Sequence, residues 1–245
     1  KEINIEGIYE KDEISIISKI LNKKANVIDI GANIGNHSLA ISKFTNKVYA
    51  FEAHPKTFEI LKFNCANNRK IKIYNVGISN KKGFLYFKNT MSNNYGGRKL
   101  NYAGSIKSKI NKLDNIINLN EKIDLIKIDI EGHEYHALIG MKKILTKNNS
   151  YLIIEFCEND VFKRKKIINF LNSHGYLNAY FFSEKKNFFK RKYINLLINI
   201  LKVIFLNAPA IRKNLIHINS NDLIKNKIKS NIIFSKEKIN LKKLN

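Results

Sequence analysis

Three carboxylates and an imidazole fall within six consecutive residues of this chain, as Asp129, Glu131, His133 and Glu134. A cluster of that kind can accept a proton, orient a hydroxyl or hold a cation, and it is hard to explain as solvated surface. A second group stands earlier, in the stretch Asp29-x-Gly31-x-Asn33-x-Gly35-Asn36. Glycines so spaced let backbone N–H groups approach a ligand where side chains would block them. Beyond that turn, Glu52 can accept both hydroxyls of a ribose. The turn and Glu52 together imply a nucleoside-bearing ligand.

The spacing narrows which one. It departs from Gly-x-Gly-x-x-Gly, the pattern that seats a pyrophosphate on a helix N-terminus. A carboxylate at position 29 would repel a pyrophosphate and attract an ammonium group. A ligand with an amino-acid tail and a ribose fits, and S-adenosylmethionine has both.

The elements that must position these residues alternate regularly. Residues 8–22 suit an opening helix. Apolar strands are expected at 27–31, 47–52 and 71–76, with helices from about Asn36 to Phe44 and from Pro55 onward. Residues 79–120 break the rhythm: Phe84–Phe87 reads as one short strand, and a polar loop follows at Ser92–Gly97. Strands resume at 124–130 and 151–156. Between them a helix from about His133 carries Ala137, Leu138, Met141, Ile144 and Leu145 on one face. A basic amphipathic helix spans 160–173, and strands follow at 176–182 and 231–234. This pattern predicts an α/β fold, a Rossmann-like, doubly wound, mostly parallel seven-stranded sheet, with a basic apolar helical insertion before the last strand. One domain over 1–245 is expected, its core at 25–183 and 229–236 and the insertion at 184–228.

Acidic strand tips have to be reconciled with a net charge of +24. Only five of the 44 basic residues are arginine, whereas readers of phosphates and bases favour arginine forks. Trp is absent, so an aromatic stacking platform is poorly supplied. An RNA methyltransferase is therefore the weaker alternative, and nucleic acid an unfavoured partner. The charge is also uneven: residues 161–245 carry 19 basic and 3 acidic residues. Cys65 and Cys157 have no metal-type spacing and read as reduced thiols. With no leader pattern in Lys1–Glu6, a cytoplasmic protein is expected.

The chain resembles the FkbM-type S-adenosylmethionine-dependent methyltransferases. The resemblance lies in Val27–His37, Phe51-Glu52-Ala53-His54-Pro55, Gly77-Ile78-Ser79-Asn80, Leu113–Ile116, Ile126–Glu134 and the strand ending at Glu155. It covers about residues 25–160, and position 53 is Ala where the family often has Pro. The resemblance implies a class I methyltransferase fold, with Gly31, Asn33, Gly35 and Asn36 wrapping the methionine part of the cofactor. It places Glu52 on the ribose, Gly77, Ile78 and Ser79 along the adenine, and Asp129 beside the transferring methyl. It also implies a hydroxyl acceptor on a sugar or natural product, such as a cell-surface glycan, glycolipid or nucleotide sugar. A non-catalytic cofactor-binding module is the other alternative.

A sugar hydroxyl is a weak nucleophile at neutral pH, so a base should take its proton as the new bond forms. Glu131 and His133 are equal candidates, with His54 third unless it only caps the helix at Pro55. Lys127 can neutralise the carboxylate cluster, and Glu134 can instead charge the start of the next helix. A divalent ion held by Asp129, Glu131 and Glu155 is possible but not favoured, and no metal ligand is assigned. The run 185–213 reads either as a helix packed on the sheet or as an interfacial helix on an anionic membrane. The second reading would make the protein peripheral on the inner face of the membrane. Oligomeric state is open.

Overall fold

Val27, Ile28 and Ile30 have almost no solvent contact, and neither have Leu125, Ile126 and Ile128. Burial on both faces marks central parallel strands, and these two runs form β1 (Asn26–Ile30) and β8 (Leu125–Ile128), paired directly. The computed structural model describes residues 10–87, 100–101, 104–156, 160–184, 213–225 and 230–241.

In chain order the elements begin with α1 (Lys11–Ile20), β1, α2 (Asn36–Ser42), β2 (Lys47–Phe51), α3 (Pro55–Cys65) and β3 (Ile71–Tyr74). Then come β4 (Gly77–Ile78), β5 (Gly83–Phe87), β6 (Leu100–Asn101), β7 (Ile106–Asn111) and β8. The rest is α4 (Glu134–Gly140), α5 (Lys142–Lys147), β9 (Tyr151–Phe156), α6 (Val161–Ser173), β10 (Asn178–Glu184), β11 (Lys213–Ile218), α7 (Ser220–Lys225) and β12 (Ser230–Ser235).

The main sheet runs β11-β10-β12-β9-β8-β1-β2-β3. Strands β3, β2, β1, β8 and β9 are parallel, whereas β12, β10 and β11 join antiparallel. Chain order reverses between β1 and β8, the switch point where open α/β sheets bind ligands.

The strand count differs from the seven expected. An eighth strand, β11, pairs along β10 at the edge and lies inside the stretch read as a helical insertion. Its sequence is embedded in a basic run, which hid it. A second sheet, β4-β7-β5-β6, occupies the region expected to hold one short strand and a loop. The expected polar loop at 92–97 and the amphipathic run at 185–212 lie outside the described residues. Among the described residues no helix is long and apolar enough to cross a membrane.

Two apolar layers cover the sheet. On one face Ile28, Ile126, Leu152 and Ile154 meet Ala137 and Leu138 of α4 and Ile167, Ile168 and Leu171 of α6. On the other, Val27, Val48, Leu125 and Ile153 meet Ile14 and Ile17 of α1 and Ala40 and Ile41 of α2. Each fully buried Ile or Leu contributes about 1.5–3 kcal/mol. Helix entries are equally local in cause. Pro55 opens α3 while the His54 ring accepts from the Thr57 N–H, and the Asp160 carboxylate accepts from the Phe162 N–H at the start of α6.

Candidate functional site

The turn after β1 is built around two constraints. The Gly31 and Ala32 N–H groups both donate to the Phe51 carbonyl at 2.9 Å, locking the turn to the tip of β2. Gly31 has φ 85°, and a Cβ there would lie 1.9 Å from the Asp129 carbonyl oxygen. Glycine is thus needed both for the backbone angle and for the approach of β1 to the β8 edge. Asn33 also adopts a left-handed backbone, at φ 51°, and Gly35 precedes Asn36 at the start of α2.

Glu52 joins this turn to β2. Its Oε2 accepts from the Asn33 N–H at 2.9 Å and its Oε1 from the His54 N–H at 2.7 Å. Burial pushes the carboxyl up to about 7, against these two hydrogen bonds. Asp29 is fully buried: its Oδ2 accepts from the Ser38 hydroxyl at 2.6 Å, while its Oδ1 has no hydrogen-bond partner. The Asn33 Oδ1 is buried in the same condition. Two acceptors of one turn therefore call for donors.

On the next strand, the Lys127 ammonium is 1% exposed and lies 2.9 Å from the Asp129 carboxylate. Burial opposes its charge, but Asp129, Asp29 and Glu13 outweigh that and raise it above the ordinary lysine range. Asp129 is likewise opposed by burial, yet Lys127 and a hydrogen bond to Glu155 hold it below its usual value. Lys127 neutralises the cluster as the sequence suggests.

Past Asp129 the chain turns sharply, with Glu131 at φ 52° and Gly132 at φ 97°. The Gly132 N–H donates to the Glu134 carboxylate at 2.7 Å, so Glu134 secures the turn at the head of α4. His133 points elsewhere. Its Nε2 lies 3.0 Å from the Ser79 hydroxyl, and its ring stacks on His136 with centroids 4.6 Å apart. Burial, with His136 beside it, pushes the imidazole down to about 4, so it is neutral at pH 7. Ser79 follows the buried pair Gly77–Ile78, and its N–H donates to the Asn111 carbonyl. The edge therefore has two sides: Ser79 and His133 on one, Asp29, Lys127, Asp129 and Glu155 on the other. Glu131 stands at the turn between them. His54 serves as a helix cap.

A third group was not legible in the sequence. The His37 Nε2, in the first turn of α2, lies 3.2 Å from Glu10 and 3.5 Å from Glu13, at the head of α1. The Asn231 amide of β12 donates to both carboxylates. His37 and Glu10 are within electrostatic reach of Asp129. Among the described residues, Glu10, Glu13 and His37 form the group whose ligand atoms all lie within 4.8 Å of one another. Asp129, Glu131 and Glu155, the set considered from sequence, do not meet that spacing.

The model of the FkbM methyltransferase domain matches residues 29–177. Hexuronic acid methyltransferase AglP of Haloferax volcanii is 31% identical over 149 residues, covering 60% of this chain and 62% of that protein. The chain thus spans less than two thirds of that relative's length. Methyltransferase FkbM from Methylobacillus flagellatus KT shares 17% identity at a TM-score of 0.42, over 55% of this chain and 33% of that one. Precorrin-6y C5,15-methyltransferase from Geobacter metallireducens shares 11% identity at 0.47, over 94% of each chain.

Proposed function

The chain belongs to the FkbM methyltransferase domain family, and we propose that it transfers a methyl group from S-adenosylmethionine to a hydroxyl of a carbohydrate. The observation that carries this reading is the pair of buried acceptors, Asp29 Oδ1 and Asn33 Oδ1, in a turn tied to Glu52. An ammonium group supplies the donors that this turn asks for, and a ribose supplies hydroxyls for the remaining lone pairs of Glu52.

In this reading Gly31, Asn33, Gly35 and Asn36 enclose the methionine part, and Gly77, Ile78 and Ser79 border the adenine. His133 holds the Ser79 hydroxyl in place. Asp129 faces the reacting methyl, its orientation fixed by Lys127. When bound, S-adenosylmethionine supplies a methyl on a sulfonium that is already a good leaving group. The protein must then align the acceptor oxygen and receive its proton. Glu131 is the better base, because His133 is engaged with the Ser79 hydroxyl. Glu131 would take the hydroxyl proton as the acceptor oxygen receives the methyl, with S-adenosylhomocysteine as the other product.

AglP is named for a hexuronic acid, which supports a sugar acceptor here; glycan, glycolipid and nucleotide sugar are the candidate forms. Docking on anionic lipid through 185–213 would suit a lipid-linked acceptor, and liposome co-sedimentation with and without that segment tests it. Calorimetry with S-adenosylhomocysteine tests the core of the proposal. Absence of binding would remove it. Mass spectrometry of surface glycans from cells with and without the gene then identifies the acceptor by the loss of one methyl mass.

A further inference from the structure

We propose that Glu10, Glu13 and His37 form a binding site for a single divalent transition ion of the Mn²⁺ or Zn²⁺ kind. Ligands about 2.1 Å from one ion sit roughly 3.0–3.4 Å apart at octahedral or tetrahedral angles. The His37 Nε2 stands 3.2 Å from the Glu10 Oε2 and 3.5 Å from the Glu13 Oε1. The imidazole nitrogen thus already stands near ligand–ligand spacing from each carboxylate, and all three ligand atoms lie within 4.8 Å of one another. Two carboxylates and an imidazole form a mixed oxygen–nitrogen set that suits Mn²⁺, Fe²⁺ or Zn²⁺ better than Ca²⁺.

Burial strengthens the case. Glu13 is 4% exposed and His37 8%. The Glu13 Oε1, aimed at His37, accepts no hydrogen bond. A buried carboxylate oxygen left in that state is costly unless a cation answers it. Lys127 offsets part of the Glu13 charge through space, but its ammonium hydrogen-bonds Asp129, at 2.9 Å. The outer shell is also in place. The Asn231 amide donates to both Glu10 and Glu13, the kind of support that fixes ligating carboxylates. Glu10, the most exposed of the three, leaves one side open for further oxygen ligands.

The site draws on two helices and the last strand, and it is separate from the Asp129–Glu134 edge. Its role in catalysis rests on the proposed function: the open positions would take oxygens of the acceptor close to Asp129. The ion site itself does not depend on that reading.

The test uses the full chain stripped with chelator, with Mn²⁺ binding read by electron paramagnetic resonance and Zn²⁺ binding by calorimetry. One equivalent of either ion is expected, Zn²⁺ displacing Mn²⁺, with a rise in unfolding midpoint that saturates at the same ratio. Glu13→Gln and His37→Gln should each weaken binding roughly tenfold or more, while Glu131→Gln leaves it unchanged. Far-UV circular dichroism establishes that the variants are folded. No saturable uptake by the folded wild-type chain, or uptake that survives both substitutions, overturns the site. Binding of S-adenosylhomocysteine by the same samples tests the methyl-donor reading separately, so either can fail alone.

Discussion

Replacing Lys127 with Met tests the electrostatic arrangement under the β8 edge. Methionine keeps most of the apolar stem, so the change removes a buried positive charge with little change of packing. Asp129 loses its partner at 2.9 Å, and Asp29 and Glu13 lose a neighbour that offset their charge. Removing one member of a fully buried ion pair costs about 3–5 kcal/mol; the Asp129 side chain is 34% exposed and keeps part of its hydration, which lowers the cost here to about 2–4 kcal/mol. For a chain of this length that corresponds to a fall in melting temperature of roughly 4–16 °C. The pH dependence has a definite sign. The Lys127 contribution is present below the ordinary lysine value and is lost only as pH rises through a folded value higher still. It is therefore constant across neutral pH. Asp129, held low in the wild type, stabilises the fold above 3.8 and loses that contribution as pH falls through its lower folded value. Without Lys127 its pKa rises, so the deficit of the variant should shrink between neutral pH and pH 5. Urea unfolding at both pH values measures this, and Lys127→Met/Asp129→Asn should recover part of the loss. A cost below about 1 kcal/mol at neutral pH would refute the assignment of Lys127 as the counter-charge.

Other expectations follow from single residues. With Glu52 at about 7, affinity for S-adenosylhomocysteine should rise as pH increases from 6 to 8. The slope should vanish in Glu52→Gln; calorimetry that finds no pH dependence in the wild type would contradict the role of this carboxylate. Gly140→Ala should destabilise by about 1–3 kcal/mol despite the better helix propensity of alanine, because its Cβ would meet the Ser79 carbonyl at 2.0 Å. A neutral or raised melting temperature would show that α4 and β4 are not in such close contact. His133, at about 4, should stay neutral down to pH 5 in an NMR titration, and a midpoint near 6.5 would place it outside the buried stack on His136. Glu131→Gln should lower kcat at least 100-fold with little effect on cofactor affinity, whereas His133→Ala should act mainly on affinity. Equal loss of kcat in both would return the base to an open choice.

Much of the main sheet could be read from the sequence, because β1, β8 and β9 are apolar runs buried on both faces. The second sheet could not. In Ile106-Lys107-Ser108-Lys109-Ile110-Asn111 the polar Ser108 takes a buried position between the two isoleucines, which breaks the apolar alternation, and β4 and β6 are two residues each and leave no periodic trace. The glycine turn was legible because close backbone approach demands glycine at position 31 whatever the ligand. Glu52 and Lys127 followed from their places at or near strand ends. Glu10, Glu13 and His37 were hidden for another reason. They come from two helices and are oriented by Asn231 from the last strand, so no local spacing connects them. The choice between Glu131 and His133 also needed three dimensions, since only the fold brings Ser79 to the imidazole.

The position of β12 has a consequence for synthesis on the ribosome. This strand lies between β9 and β10, so it is an interior member of the sheet although it comes late in the chain. Until Ser235 has emerged, β9 and β10 each present an open edge of unpaired backbone groups. From the completion of β10 at Glu184 until β12 is made, the nascent chain therefore carries two adhesive seams. Asn231 arrives on the same strand and reaches back to Glu10 and Glu13 on the first helix. One late insertion thus seals the sheet and fixes the side chains at its beginning. A chain cut before Ser230 would keep its candidate site loops and leave its sheet unclosed.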